Sequence, residues 1–273
     1  MSKVGIIGFG VVGKAIYNTL SKKYAIVKYD KFTELDNFDL LASCDFIFIS
    51  VPSPFDYQNR EVDDSAILES LRKLDNLSYE GIVIIKSTLP PGSCDNYKEE
   101  FNIEIVFNPE FLRESTTPNE DFENQEIVVI GTSDKANFNK VKEMYEKVLN
   151  SSAVYHHTTN TEAEMIKISQ NTVLASRVAV ANVIYDACSN LGLEYKKIRE
   201  IAFDSFEILG AHMVKVPGPD GRRGFGGKCL PKDTLAFTTV HNSNLINEIL
   251  IYNENLRDDL DQVLKNYDKK SNK

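Results

Sequence analysis

The segment Gly224-Phe225-Gly226-Gly227-Lys228-Cys229-Leu230-Pro231-Lys232-Asp233 sets one cysteine behind flexible glycines and at the start of a predicted helix. Gly226 and Gly227 have no Cβ, so their backbone can approach a ligand closely. Pro231 suits the first helical position, where its missing N–H is no loss. Cys229 then sits at the positive end of the helix dipole, which stabilises a thiolate. Lys232 and Asp233 add a charge partner and a carboxylate within one turn. This grouping predicts a nucleophilic cysteine and covalent catalysis. The same residues also read as a small buried cysteine in a glycine-rich turn, and the motif alone leaves both readings open.

A second constellation opens the chain. The apolar strand Val4-Gly5-Ile6-Ile7 runs into Gly8-Phe9-Gly10-Val11-Val12-Gly13 and a helical stretch over residues 14–24. A GxGxxG pattern between a strand and a helix is the dinucleotide-binding context. Gly8 makes the tight turn, Gly10 lets a pyrophosphate reach the helix N-terminus, and Gly13 permits close helix–strand packing. The next strand, residues 25–29, ends at Asp30, 17 residues past Gly13. An acid there hydrogen-bonds the adenosine ribose and repels a 2′-phosphate, which favours NAD. The adjacent Lys31 keeps NADP as an alternative.

These residues require a scaffold, and the rest of the first half supplies one. Apolar strands at residues 46–51, 81–86, 104–107 and 127–130 alternate with helical patterns, one of them over residues 64–74. Unbroken apolar strands between helices predict a parallel sheet covered on both faces. Ligands bind at the carboxyl ends of such strands, where Pro52, Ser53, Ser87, Thr88 and Asn108-Pro109-Glu110 fall. Residues 159–191 read as one helix of about 32 residues, roughly 48 Å long. Only Arg177 and Asp186 carry charge between Val173 and Cys188. A helix apolar all round is buried on every side, so a homodimer through this helix is expected. Lys167 and Asn171, four apart, share one of its faces. Shorter helices are predicted over residues 196–202, 231–240 and 245–264. The fold class is therefore α/β: a Rossmann-type doubly wound parallel sheet (residues 1–157), then an all-helical domain with a long central helix and the cysteine (158–265), then a polar tail (266–273).

Composition narrows the function classes. The net charge of −9 over 273 residues argues against nucleic acid as a partner. No apolar run approaches the ~20 residues of a membrane span, and the N-terminus enters a strand without a signal peptide. Cys44, Cys94, Cys188 and Cys229 are widely spaced without metal-ligand rhythm, so free thiols in a reducing cytoplasm and no metal are expected.

Taken together, GFGVVG, the Ser87-Thr88 turn, Asn108-Pro109-Glu110-Phe111-Leu112-Arg113-Glu114-Ser115, Glu164-Met165-Ile166-Lys167 with Asn171, and GFGGKCLPKD resemble the UDP-glucose 6-dehydrogenase family and its relatives acting on GDP-mannose and UDP-N-acetylmannosamine. The resemblance implies a four-electron oxidation of a sugar C6 alcohol to a carboxylate with two NAD, most simply UDP-glucose to UDP-glucuronate. It implies Cys229 as the thiohemiacetal and thioester nucleophile, and Lys167 and Asn171 as the oxyanion-stabilising pair. Asp233 orients the water or the lysine, Glu110 is a candidate general base, and Thr88 and Glu114 lie close to the nicotinamide and the catalytic water. Phe111, Leu112 and Arg113 line the sugar site, with Phe225, Gly226 and Gly227 beside them.

The family continues into a second nucleotide-binding domain beyond the length of this chain. It also carries Arg-Ile-Gly upstream of the cysteine, where this sequence has Ile208-Leu209-Gly210 and an added turn, residues 216–223. Arg222 and Arg223, with Lys215 or His212, are candidates for holding the substrate diphosphate, since the guanidinium fork suits phosphate. A solvated turn is the other reading. Further alternatives are a two-electron hydroxyacid-type dehydrogenase, an NAD-binding protein without catalysis, and a partner chain that supplies the missing domain.

Overall fold

The computed structural model describes residues 2–111, 117–206, 213–227, 229–241 and 243–257. Of the residues singled out above, Leu112, Arg113, Glu114, Ser115, His212, Lys228, the 208–210 stretch and the 266–273 tail lie outside these. The chain divides into two compact units: Met1–Asp56 with Val62–Lys167, and Tyr57–Glu61 with Ile168–Lys273.

The first unit is built on a seven-stranded sheet. Its strands are β1 (Lys3–Ile7), β2 (Ala25–Tyr29), β3 (Phe46–Ile49), β4 (Ile82–Ile85), β5 (Glu104–Phe107), β6 (Ile127–Gly131) and β7 (Val154–Thr158). In space they run β2-β1-β3-β4-β5-β6-β7. Between them lie α1 (Val11–Leu20), α2 (Ser65–Asn76), α3 (Ser93–Glu100), α4 (Pro118–Glu123) and α5 (Lys135–Glu146). Alternate residues of each strand face opposite sides, which explains why the strands are apolar throughout. Ile47, Ile49, Val83 and Ile85 pack with Ile67 and Leu71 of α2. Phe48, Ile82, Ile84 and Val106 pack with Ile16 of α1, Phe122 of α4 and Tyr145 of α5.

One expectation needs correction: the sheet is not wholly parallel. β5 and β6 meet antiparallel through Phe107 and Gly131, and β6 and β7 then run parallel to each other. The connection through α4 does not cross back over the sheet, so β6 sets out from the edge at which β5 ends. β7 itself, around His156 and His157, was not predicted as a separate strand.

The long helix α6 spans Asn160–Asn190. After it come α7 (Tyr195–Arg199), α8 (Leu230–Val240) and α9 (Asn244–Leu256). The expected burial of α6 on every side is not met within one chain. Val173, Val180 and Val183 are 60%, 55% and 53% exposed. No described helix is long and apolar enough to cross a membrane, and no group of three or more His, Cys, Asp or Glu among the described residues could hold a metal ion.

Candidate active site

At the end of β1, Gly8 takes φ +89, and a Cβ there would lie 2.6 Å from the Ser50 carbonyl oxygen. A Cβ on Gly13 would lie 2.1 Å from the Gly8 carbonyl oxygen, so helix and turn touch backbone to backbone. Gly10 differs: nothing lies within 4 Å of its Cβ position. It is the N-cap of α1, and no side chain caps that helix. Open space before uncapped N–H groups is a cradle for a diphosphate, so these residues fit a dinucleotide. Phe9 and Val12 pack partly against the core, and Val11 is exposed.

Asp30 accepts hydrogen bonds from Phe9 N at 2.8 Å and Phe32 N at 2.9 Å. Partial burial raises its carboxyl, but the Phe9, Phe32 and Thr33 donors outweigh this and hold it below its ordinary value. The acid is thus a fixed carboxylate beside the glycine turn. Lys31 pairs with Glu69 at 2.7 Å, and Lys73 meets the other Glu69 oxygen at 2.9 Å. This pairing offsets the Lys31 charge, which would favour a 2′-phosphate.

The loops after β3 and β4 are cross-tied. Ser87 Oγ donates to the Val51 carbonyl at 2.6 Å, and Ser53 Oγ donates to the Thr88 carbonyl at 2.9 Å. Pro52 is exposed on the first loop and Thr88 is half-buried on the second. Glu164, fully buried on α6, receives Gly92 N at 2.5 Å and Cys94 N at 2.8 Å, so it caps α3 from outside. Burial pushes its carboxyl up to about 7 against those donors.

Beyond β5, Asn108 is buried. Its Oδ1 accepts from Lys86 Nζ at 2.9 Å and from Tyr145 OH at 2.6 Å, and its Nδ2 donates to the Val129 carbonyl at 2.6 Å. Lys86 Nζ also meets Glu110 Oε2 at 3.0 Å, while Glu110 Oε1 receives Phe111 N at 2.9 Å. Burial lowers the Lys86 ammonium from its ordinary value, and the Glu110 carboxylate resists this. Lys167, buried, lies 5.5 Å from the Phe111 ring centroid. Sequence reasoning missed Lys86 and the role of Glu164. A lysine closing an otherwise apolar strand was the available signal for the first.

In the second unit, Cys229 is the N-cap of α8 with Pro231 at its first turn. It is exposed, whereas Cys44, Cys94 and Cys188 are buried, which removes the reading as a buried cysteine. Asp233, fully buried, receives Asn171 Nδ2 at 2.5 Å and meets Lys232 Nζ at 3.2 Å. Asn171, Asp233 and Lys232 thus lie together, and Asn171 follows Lys167 by four residues along α6.

Other expected contacts fall differently. Phe225 is buried, and its backbone N and O both bond Asn253. The Cβ side of Gly226 faces Arg257, 2.4 Å from Nη2, so that face is closed to a ligand. Gly227 takes φ +77. Arg223 reaches Asp186 at 2.6 Å and lies 5.2 Å from the Tyr185 ring, within an internal network, while Arg222 and Lys215 are exposed.

Two segments match known domains of one family: UDP-glucose/GDP-mannose dehydrogenase family, NAD binding domain, over residues 18–149, and the central domain of that family over residues 161–255. A UDP-glucose 6-dehydrogenase of Rickettsia bellii is 31% identical over 247 residues, 86% of this chain and 55% of that one. The chain thus spans about half the length of the curated relatives it matches. Among solved structures, a UDP-glucose dehydrogenase from the hyperthermophilic archaeon Pyrobaculum islandicum superposes with a TM-score of 0.80 at 23% identity, over 93% of this chain and 68% of that one. A 3-hydroxyisobutyrate dehydrogenase of Mycobacterium tuberculosis superposes with a TM-score of 0.72 at 15% identity, over 98% and 99%. Both likenesses establish the fold.

Proposed function

We propose that this chain, which belongs to the UDP-glucose/GDP-mannose dehydrogenase family and carries its NAD-binding domain, oxidises the C6 alcohol of a nucleotide sugar to the carboxylate, with UDP-glucose as the first candidate substrate. The observation that carries this reading is the exposed Cys229 at the head of α8, one turn before a buried Asp233 bonded to Asn171. When bound, NAD accepts a hydride at each of two steps. Between them the Cys229 thiolate adds to the C6 aldehyde, forming a C–S bond and a hemithioacetal oxyanion. Loss of a second hydride leaves a thioester, and water releases the acid and the thiol. Lys167 and the Asn171 amide face the oxyanion in this scheme, and Asp233 fixes the amide. Glu110, held at both oxygens, takes the proton of the attacking water. Thr88 and Glu114 border the nicotinamide and that water. Phe111, Leu112 and Arg113 line the sugar, with the Phe225–Gly227 stretch beside them. Of the two arginines, the exposed Arg222 is the better candidate for the diphosphate.

Incubation with limiting UDP-glucose and excess NAD tests this reading. Two NADH per sugar are expected. One NADH would instead point to simple two-electron alcohol oxidation. No NADH with UDP-glucose, GDP-mannose or UDP-N-acetylmannosamine would reject it.

The open valine stripe on α6 supports a homodimer in the cytoplasm, where free thiols persist. Val180→Asp puts a charge in that stripe and is expected to convert the dimer to monomer by light scattering. A dimer unaffected by the change, or a monomeric parent, would refute the interface.

A further inference from the structure

The stretch that leads into Cys229 is gripped by buried side chains from two helices. Asn253 of α9 pairs with both backbone groups of Phe225: Oδ1 receives Phe225 N at 2.7 Å and Nδ2 donates to Phe225 O at 2.9 Å. This is the bonding a neighbouring strand would supply. One turn on, Arg257 is 3% exposed and lies against Gly226, where a Cβ would clash with its guanidinium. Its Nη1 reaches Asp220 Oδ2 at 2.8 Å and the Arg223 carbonyl at 3.5 Å. From α6, Asn182 Oδ1 receives Gly224 N at 3.2 Å and is itself fixed by donating Nδ2 to Val178 O at 2.8 Å.

Glycine-rich backbone has many accessible conformations, and Gly224 and Gly227 both adopt positive φ. Left alone, such a loop would not hold the residue after it in one place. Paired amide and carbonyl bonds at Phe225 fix the peptide orientation, and the guanidinium fills the space that Gly226 leaves. Gly226 and Cys229 are joined by three Cα–Cα steps, so the chain permits at most about 11 Å between them. The Arg257 guanidinium is buried and so is screened less than a surface charge.

We propose that Asn253 and Arg257 are positioning residues for the nucleophile: they lock residues 224–227 so that Cys229 stays at the N-terminus of α8, with the buried guanidinium as a supporting positive charge. The proposal rests on the reading of Cys229 as a nucleophile, and it places α9 in the machinery of the cysteine loop. It also gives Gly226 a reason to be glycine that no ligand is needed to explain.

Alkylation by iodoacetamide reads Cys229 without any substrate. Cys44, Cys94 and Cys188 are buried, and burial pushes Cys44 up to about 11 and Cys94 well above its ordinary value. The rate at Cys229, followed by peptide mass spectrometry across pH 5–10, gives the midpoint of its thiolate. In Arg257→Ala and Asn253→Ala the midpoint is expected to move up by about one pH unit, with a roughly tenfold slower rate at pH 7. Arg257→Lys keeps the charge and should recover most of the midpoint. Should either alanine variant fail to fold, Asp220→Asn keeps an acceptor for Arg257 while removing the carboxylate that offsets its charge, and is expected to move the midpoint down by less than a unit. Folded Arg257→Ala or Asp220→Asn protein with the wild-type profile would overturn the proposal. A wild-type midpoint at the ordinary thiol value of about 8.5 would overturn it too. Absence of sugar oxidation with a low wild-type midpoint would reject the proposed activity and leave the clamp standing.

Discussion

Exchange of Cys229 for serine is expected to lower turnover of a nucleotide sugar by at least about a thousandfold, while the protein keeps its fold and still binds NAD. A thousandfold corresponds to about 4 kcal/mol of lost transition-state stabilisation. The reason is chemical, because Cys229 is exposed and its removal leaves no cavity. A serine hydroxyl is a far weaker nucleophile than a thiolate at neutral pH, and the α8 N-terminus cannot ionise it. The adduct that must lose the second hydride then fails to accumulate. NADH per sugar falls to one or below, and added hydroxylamine traps aldehyde instead of acyl-enzyme. Two equivalents of NADH from the serine protein would end the thioester route. Full activity in Cys229→Ala, at one NADH per substrate, would show that the chain performs the simpler alcohol oxidation.

Legibility in the sequence followed the range of the forces involved. Strand positions were readable because β1, β3 and β4 lie between two cores, so their residues are apolar on both faces. The long helix was placed to within one residue at each end, Asn160–Asn190, because its pattern is sustained over many turns. Strand direction at β6 was not readable. It depends on which edge of the sheet the α4 connection leaves from, and hydrophobic period carries no such information. Among the glycines of the first turn, Gly8 and Gly13 answer a local steric demand, while Gly10 leaves open space before the helix. At Gly226 the missing Cβ was read as room for a ligand, and that position is taken by Arg257, 31 residues on. Arg223 looked available for phosphate until Asp186, 37 residues earlier, was seen beside it. Both contacts join partners distant in sequence, which motif reading cannot supply.

Lys86 shows the same limit and leads to the other large effect. Lys86→Met is expected to destabilise the protein by about 3–5 kcal/mol, read from urea unfolding at pH 7. Loss of the ammonium leaves Glu110 Oε2 without the cation 3.0 Å away, at a side chain only 13% exposed. Asn108 keeps Tyr145 as a donor, so the charge on Glu110 is the main cost. Glu110→Gln strands the ammonium instead and should cost a comparable amount. The double variant Lys86→Met with Glu110→Gln leaves neither charge of the pair unmatched, so its loss should fall well short of the sum of the two. Additive losses would show that the pair does not act as a unit.

The two single variants also differ in their pH response. Burial holds Lys86 below 10.5 in the native protein, so the unfolded chain binds more protons at this site as pH rises through the folded value. Stability gains from this group in that window, and the gain should be larger and begin at lower pH in Glu110→Gln, where the opposing carboxylate is gone. Lys86→Met has no such group and should lack the alkaline gain altogether. A Glu110→Gln profile parallel to that of Lys86→Met between pH 7 and 10.5 would mean that Lys86 is not the buried cation its surroundings describe.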